Sequence, residues 1–362
     1  GEKQVSHGVS SPAQMAGGQI RQEVCIVRKG RIAVMVILAL AMLMAFGSAP
    51  GYGAPAKKIR IAMLMASTID DMAWSQSMYD GLKAVQKEFG ADKLEFVTSE
   101  RMGNPVDAGA AIRQYADQGF DIILAHGAQY QSVLMELAPD FPKTSFAYGT
   151  GFTTAPNIFA YDPQAQEGAY LLGMIAALMS KSGIVGIVGP VESGDAIKYN
   201  YGFQQGVAAA NPKVKVRIAY TGSFGDIVGA GELAKVHMDA KADILTGSAQ
   251  QAVGAARAVA ERSGVYWMST DMDQSSLAPD HVLAAQVYHW ETVIKSIIDY
   301  RAKGIVGGKH LTLTFADGTL ELRYNPKLVG RIPKSVIDSV EKAKQDIISG
   351  KLKVELPKAG GK

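Results

Sequence analysis

The residues best suited to chemistry follow the apolar run at residues 59–66. They are two adjacent carboxylates, an indole, a hydroxyl and an amide: Asp70, Asp71, Trp74, Ser75 and Gln76. Carboxylates accept hydrogen bonds and can act as general acids or bases, and an indole offers a flat surface for stacking. Asp at a helix start is also a common cap. The sequence therefore leaves capping and ligand binding both open for the two carboxylates.

Later strand ends carry a similar mixture of glycine, polar and aromatic residues. Their candidate ligand-binding side chains are His126, Gln129, Glu192, Phe224, Asp226, Gln250 and Asp271. Each segment by itself is compatible with a turn or a cap. Together they exceed what turns need, and ligands in open α/β sheets bind beyond the carboxyl ends of the strands. The set therefore predicts the lining of a cleft.

Motifs of catalysis and of cofactor binding are missing from the sequence. It contains no GxGxxG, no GxxxxGK[ST], no HExxH and no GxSxG, so phosphate cradling, zinc proteolysis and serine hydrolysis have no support. The histidines after residue 100 show no tight ligand spacing. We predict no catalytic residue, no metal and no cofactor.

The elements that must position these side chains alternate regularly. Short apolar runs alternate with helical segments over residues 59–148 and again over 158–287, which is typical of parallel sheets covered on both faces. One such helix is predicted over residues 74–89. A hairpin is predicted over residues 310–324, where Asp317-Gly318 supplies the turn. We expect an α/β fold with two lobes.

Composition and charge limit the number of domains and the kinds of partner that the protein can have. The chain has 362 residues, of which 48% are hydrophobic, and this length favours two domains. Its net charge of +3 comes from the N-terminal region: residues 1–56 hold five basic and two acidic residues, which leaves 32 of each in 57–362. A neutral body argues against a nucleic-acid partner.

Residues 28–56 have the three parts of a secretory signal peptide. A basic cluster at 28–31 precedes fifteen apolar residues at 32–46 and a small-residue stretch at 47–54. The apolar run is shorter than the roughly 20 residues of a bilayer span. We expect export to the periplasm with cleavage near Ala56, and we interpret residues 1–27 as a tag or an over-long start. Cys25 precedes the apolar run, so the exported chain would contain no cysteine.

Four ordered segments resemble the basic membrane protein family of periplasmic solute-binding proteins. They are Asp70-Asp71-x-x-Trp74-Ser75-Gln76-x-x-x-x-Gly81, the helix from Glu167 to Ala177, Gly222-Ser-Phe224-Gly-Asp226, and Thr270-Asp271-Met-Asp273-Gln274-Ser275 followed by Ala278-Pro279. The likeness covers nearly the whole chain after residue 56.

The resemblance implies a type I periplasmic binding fold, in which two Rossmann-like lobes with parallel sheets are joined by three crossovers. Residues 57–160 with 290–318 would form the N-terminal lobe, and residues 161–289 with 319–362 the C-terminal lobe. It also implies a monomer that binds a small-molecule ligand and delivers it to an ABC permease in the inner membrane. Family members hold a purine between two aromatic rings, which would here be Trp74 and Phe224. Asp70 or Asp71 would bind the N–H groups of the heterocycle, and Asp271 would receive ribose hydroxyls.

Two departures from the pattern concern the sugar. Nucleoside binders have Asn where this chain has Ser75, and Lys where it has Tyr288. The segment from Val287 to Trp290 looks closer to a proteobacterial branch suited to free nucleobases. The hypothesis is a free base such as adenine or hypoxanthine, with a purine nucleoside second. An exported nucleoside hydrolase using Asp70, Asp71 and Asp271, and the sensor domain of a signalling protein, are the rival classes.

Overall fold

The computed structural model describes residues 58–357. The predicted signal segment lies outside them. Twelve strands alternate with helices in this part of the chain. The strands are β1 (Ile59–Met65), β2 (Leu94–Ser99), β3 (Ile122–His126), β4 (Ser145–Gly149), β5 (Ile158–Pro163), β6 (Ile184–Gly189), β7 (Lys215–Tyr220), β8 (Ile244–Gly247), β9 (Tyr266–Ser269), β10 (Val282–Tyr288), β11 (His310–Leu313) and β12 (Leu320–Tyr324).

These strands form two six-stranded sheets. The first has the order β11-β5-β4-β3-β1-β2, and all its neighbours pair in parallel. The second has the order β12-β10-β9-β8-β6-β7 and is parallel except for β12, which runs antiparallel to β10. Strands β3, β4 and β5 are buried along their whole lengths, as helices on both faces of a parallel sheet require. The predicted α/β class is confirmed.

Nine α-helices cover the sheets within residues 58–357. They are α1 (Trp74–Phe89), α2 (Pro105–Asp117), α3 (Gln131–Leu137), α4 (Ala165–Met179), α5 (Gly194–Ala210), α6 (Ile227–Asp239), α7 (Ala252–Ala260), α8 (Trp290–Ala302) and α9 (Lys334–Ile348). The helix predicted over residues 74–89 is confirmed. No helix in this range is long and apolar enough to cross a membrane.

The chain passes between the two sheets at three places. It leaves the first sheet after β5, returns to it between β10 and α8, and leaves again between β11 and β12. The lobe boundaries at residues 160/161, 289/290 and 318/319 stay predictions, and β5 continues in the first sheet as far as Pro163.

The predicted hairpin over residues 310–324 is wrong. The Asp-Gly turn forms, with the Asp317 carboxylate accepting hydrogen bonds from the N–H groups of Thr314 and Thr319. However, β11 pairs with β5 in the first sheet and β12 pairs with β10 in the second. A tight turn reverses the chain locally without deciding whether its flanking strands pair with each other. Here the two strands diverge, and the turn forms the third crossover.

Candidate functional site

A cavity of about 820 Å³ lies between the two lobes, next to the carboxyl ends of the strands. The first lobe lines it with Ala66, Trp74, Gly103, residues 126–129 and Thr150. The second lobe lines it with Val191, residues 193–196, residues 222–225, residues 248–250 and Asp271. The predicted position of the cleft agrees with this cavity. Of the predicted site residues, Trp74, His126, Gln129, Phe224, Gln250 and Asp271 line it.

Trp74 at the start of α1 belongs to an aromatic stack. Its ring lies 4.3 Å from the His126 ring with 8° between the planes, and Tyr161 lies 5.9 Å beyond His126. The Trp290 centroid is 5.1 Å from both the Trp74 and His126 centroids and nearly perpendicular to both rings. Because Trp290 is equally distant from both rings, it lies beside the stack. The Tyr288 ring also contacts the indole, at 6.3 Å and 84°, and the indole lines the cavity.

His126 is a buried, neutral support for this indole. Its Nε2 lies 3.1 Å from the carbonyl oxygen of Trp74, and its Nδ1 lies 2.8 Å from the hydroxyl of Tyr161. A carbonyl can only accept, so Nε2 carries the proton and Nδ1 accepts from Tyr161. Burial lowers the pKa of His126 to about 3. Both ring nitrogens are therefore occupied within the protein.

The acidic pair before α1 lies outside the cavity lining. Asp71 accepts hydrogen bonds from the N–H groups of Ala73, Ser75 and Gln76, and the Gln76 amide oxygen accepts from Met72 N. Asp71 and Gln76 thus satisfy the free N–H groups of the helix start. Burial raises the pKa of Asp71 although these N–H groups oppose the shift. Asp70 is exposed and Ser75 is buried. The three hydrogen bonds that Asp71 accepts favour helix capping as the role of this carboxylate.

The second lobe contributes one aromatic ring to the cavity. Phe224 lines it with 48% of its surface exposed. Asp226, two residues later, caps α6 by accepting a hydrogen bond from Gly229 N. Glu192 is exposed, and neither carboxylate lines the cavity. Of this group, only Phe224 presents a surface to a ligand.

Asp271 is the most unusual side chain of the lining. It is 4% exposed and has a φ of 72°, a left-handed conformation that is uncommon outside glycine. Thr150 and Ala249 in the same lining also have positive φ, and such backbone strain concentrates at functional sites. Burial, followed by the charges of Asp195 and Asp71, raises the pKa of Asp271 well above its ordinary value. Within residues 58–357 no hydrogen bond or ion pair reaches its carboxylate.

Tyr288 and Trp290 lie outside the cavity lining and contact residues that belong to it. The Tyr288 hydroxyl donates to Asp195 Oδ2 at 3.2 Å and accepts from the Thr270 hydroxyl at 3.3 Å. The indole N–H of Trp290 donates to Ser77 Oγ at 2.8 Å. Both aromatic residues are buried and neither lines the cavity.

Sequence reasoning missed a buried ion-pair network beside the cavity. Lys198 Nζ lies 2.7 Å from Asp162 Oδ1, 3.0 Å from Asp195 Oδ1 and 2.7 Å from the carbonyl oxygen of Pro163. Burial raises the pKa of Asp195 to about 6, although the charge of Lys198 opposes this shift. The i,i+3 spacing of Asp195 and Lys198 was a visible signal, but it is also usual for exposed helix pairs. Asp162 lies on β5 of the first sheet, and its spacing from Lys198 along the chain gives no sign of the pair.

The fold and cavity define the class of protein. Two mainly parallel sheets, three crossings and a cavity between the lobes are the features of a type I periplasmic binding fold. A solved ABC transporter solute-binding protein from Aeropyrum pernix K1 has the same fold, with a TM-score of 0.74 and 20% identity over 84% of this chain and 95% of that one.

The sequence comparisons show the family. The model of the Bmp family, described as ABC transporter substrate-binding protein PnrA-like, matches residues 58–354. The chain therefore belongs to this family, and the resemblance seen in its four motifs is confirmed.

Two named relatives span most of the chain. A purine-binding protein from Brucella abortus (strain 2308) is 28% identical over 88% of this chain and 88% of its own length. The ABC transporter nucleoside-binding protein BmpA from Lactococcus lactis subsp. cremoris (strain MG1363) is 25% identical over 80% of this chain and 86% of its own.

Proposed function

We propose that this protein binds a purine-type ligand between Trp74 and Phe224 and delivers it to the permease of an ABC importer. We favour a free nucleobase such as adenine or hypoxanthine. The family supports the transport role, and the names of the purine-binding and nucleoside-binding relatives support the ligand class.

The observation that carries this proposal is the pair of aromatic surfaces on opposite sides of one cavity. Trp74 lines the cavity from the first lobe with its indole stacked on His126, and Phe224 lines it from the second lobe with a half-exposed ring. Both rings line the same cavity, and within residues 58–357 no ring contact joins them. A base stacked on an aromatic side chain gains about 1–3 kcal/mol. A flat heterocycle that fills the gap would gain this on both faces.

The polar groups of the cavity bear on the choice between base and nucleoside. Lys198 pairs with Asp162 and Asp195, and the Tyr288 hydroxyl donates to Asp195. Among residues 58–357 no ion pair therefore orients Asp271 for a sugar, which favours a free base. The nucleoside remains the second candidate because the unpaired Asp271 carboxyl could accept hydrogen bonds from ribose hydroxyls. Gln129 and Gln250 can each donate to or accept from the edge of a heterocycle.

Lobe closure would trap the ligand, and the closed form would be recognised by the permease. One contact between the lobes supports this mechanism: Gln274 Nε2, in the loop after β9, donates to the carbonyl oxygen of Met72 at 2.9 Å. We propose that the protein acts in the periplasm as a monomer. The rival hydrolase would need Asp70, Asp71 and Asp271 together at its substrate, whereas Asp70 is exposed and Asp71 caps α1.

Thermal unfolding with candidate ligands tests the proposal. The protein is refolded free of ligand and measured with adenine, hypoxanthine, adenosine, inosine, glucose and amino acids. A ligand at a hundredfold excess over its Kd stabilises the folded state by about 2.7 kcal/mol. Stabilisation by bases alone supports the nucleobase reading, and stabilisation by nucleosides alone supports the alternative. A response only to sugars or amino acids contradicts the ligand class, and conversion of inosine or adenosine to products would restore the hydrolase.

A further inference from the structure

We propose that the cavity selects its ligand by charge: it accepts neutral or cationic flat heterocycles with N–H donors and excludes anionic ones. This inference rests on the proposed site between Trp74 and Phe224 and adds a rule that the proposed function does not contain.

The charged side chains that line the cavity within the described residues are both carboxylates, Asp195 and Asp271. His126 also lines it, but both of its ring nitrogens are hydrogen-bonded inside the protein and the ring is neutral. Among the described residues the lining therefore offers two carboxyl groups and no cation, and Lys198, which pairs with Asp195, lies outside the lining. A bound anion would have to approach these carboxylates in a partly desolvated cavity, where charges repel more strongly than in water.

Lys198 pairs with Asp195 of the cavity lining, but its charge is already held by partners inside the protein. Its ammonium group contacts the carboxylates of Asp162 and Asp195 and the carbonyl oxygen of Pro163. The ammonium donates hydrogen bonds to Asp162 Oδ1 and to the Pro163 carbonyl oxygen, and Asp195 Oδ1 lies 3.0 Å away as an ion-pair partner. Turning Lys198 toward an anionic ligand would leave Asp162 buried without its cation, which is strongly unfavourable.

Asp271 supplies the independent evidence for a ligand group. Its side chain is almost fully buried, lines the cavity and has no hydrogen-bond or ion-pair partner within residues 58–357. Buried polar groups in folded proteins are nearly always hydrogen-bonded. A ligand N–H group, neutral or positively charged, would satisfy an oxygen of this carboxyl, whereas an anion would disfavour its ionised form further than burial already does.

The test uses pairs of flat ligands with opposite charge. Benzamidinium and benzoate have nearly the same size and shape, and adenine and urate form a purine pair in which urate is anionic at neutral pH. Calorimetry at pH 7.5 should show benzamidinium binding at least about tenfold more tightly than benzoate, and adenine at least about tenfold more tightly than urate. A tenfold difference in Kd has the same free energy as a pKa shift of one unit. Shifts of about one to three units are what a charge a few ångströms away produces.

Two variants test whether the preference comes from the carboxyl charges of the cavity or from the shape of the ligand. Asp271→Asn keeps the size of the side chain, and Asn tolerates the positive φ at this position, so the preference over benzoate should shrink several-fold. Asp195→Asn should shrink it as well. The matched control is Asp299→Asn, an exposed carboxylate of α8 outside the cavity lining, which should leave the preference unchanged.

The outcomes distinguish this inference from the proposed function. Equal or tighter binding of benzoate or urate, or a preference that survives both cavity variants, overturns the charge rule even if adenine binds well. Failure of adenine with a retained preference for benzamidinium upholds the charge rule and rejects the purine. Failure of both adenine and benzamidinium overturns both.

Discussion

Trp74 and His126 lie face to face in the first lobe, 4.3 Å apart and within 8° of parallel. The two residues are also joined through the backbone, because His126 Nε2 donates to the carbonyl oxygen of Trp74 and the Trp74 indole N–H donates to that of His126. The indole is therefore held in one orientation before any ligand arrives. Such preorganisation reduces the ordering cost of binding.

Removing the indole should weaken binding without unfolding the lobe. Trp74→Ala deletes one stacking face, and a stacked face contributes about 1–3 kcal/mol, so the Kd measured by calorimetry should rise by about one to two orders of magnitude. Trp74→Phe retains a flat ring and should lose much less affinity. An unchanged Kd for Trp74→Ala would show that the ligand lies elsewhere.

His289 and its two carboxylate neighbours should make the free energy of unfolding depend on pH. His289 Nδ1 is 2.9 Å from Glu291 Oε1 at the start of α8, and its Nε2 is 3.0 Å from Glu321 Oε2 on β12. Hydrogen bonding to Glu291 is the largest cause that raises the pKa of His289. Because the folded-state pKa exceeds the unfolded value near 6.5, the stabilisation is complete below pH 6.5 and is lost as the pH rises through the raised pKa.

Urea unfolding of the wild type and His289→Gln at pH 6 and pH 8.5 measures this contribution. The variant should be less stable than the wild type at pH 6, by up to about 1 kcal/mol for a partly exposed cluster, and the difference should shrink at pH 8.5. Glu321→Gln should reduce the same pH dependence. A difference that is equal at both pH values would rule out this ionisation as the cause.

The ion-pair network beside the cavity should contribute strongly to stability. Lys198→Met leaves Asp162 and Asp195 without their buried cation, and breaking a buried pair by removing one partner costs about 3–5 kcal/mol. The control is Lys334→Met in the exposed pair with Asp338 on α9, which should change the free energy of unfolding little. Equal effects of the two substitutions would contradict the structural role of Lys198.

The contact between α4 and α5 should reject any side chain at Gly206. A Cβ atom there would lie 1.9 Å from the carbonyl oxygen of Tyr170, so the helices would have to separate. Gly206→Ala should therefore destabilise the protein by about 1–3 kcal/mol, as overpacking does. Gly231→Ala in α6, where the nearest atom would be 3.4 Å away, should cost little, because alanine also favours the helix. Chemical denaturation compares the two.

Much of the fold could be predicted because its elements are encoded locally. The alternation of apolar runs and helical segments predicted two α/β series, and the helix over residues 74–89 agrees with α1. The hairpin prediction was wrong because the Asp317-Gly318 turn reports only on the local chain reversal. β11 pairs instead with β5, whose residues lie 150 positions earlier in the chain, and β12 pairs with β10.

The sequence by itself determined which strand ends carry the cavity, since parallel strands bring their carboxyl ends to one edge. Trp74, Phe224 and Asp271 were found in this way, and all three line the cavity. Only the tertiary structure decided what each polar group does there. Asp71 accepts hydrogen bonds from the helix start, His126 is buried against the indole, and Lys198 pairs with Asp162 on β5 of the first sheet. These roles depend on burial and on distances between elements far apart in the chain, which residue spacing along the chain does not contain.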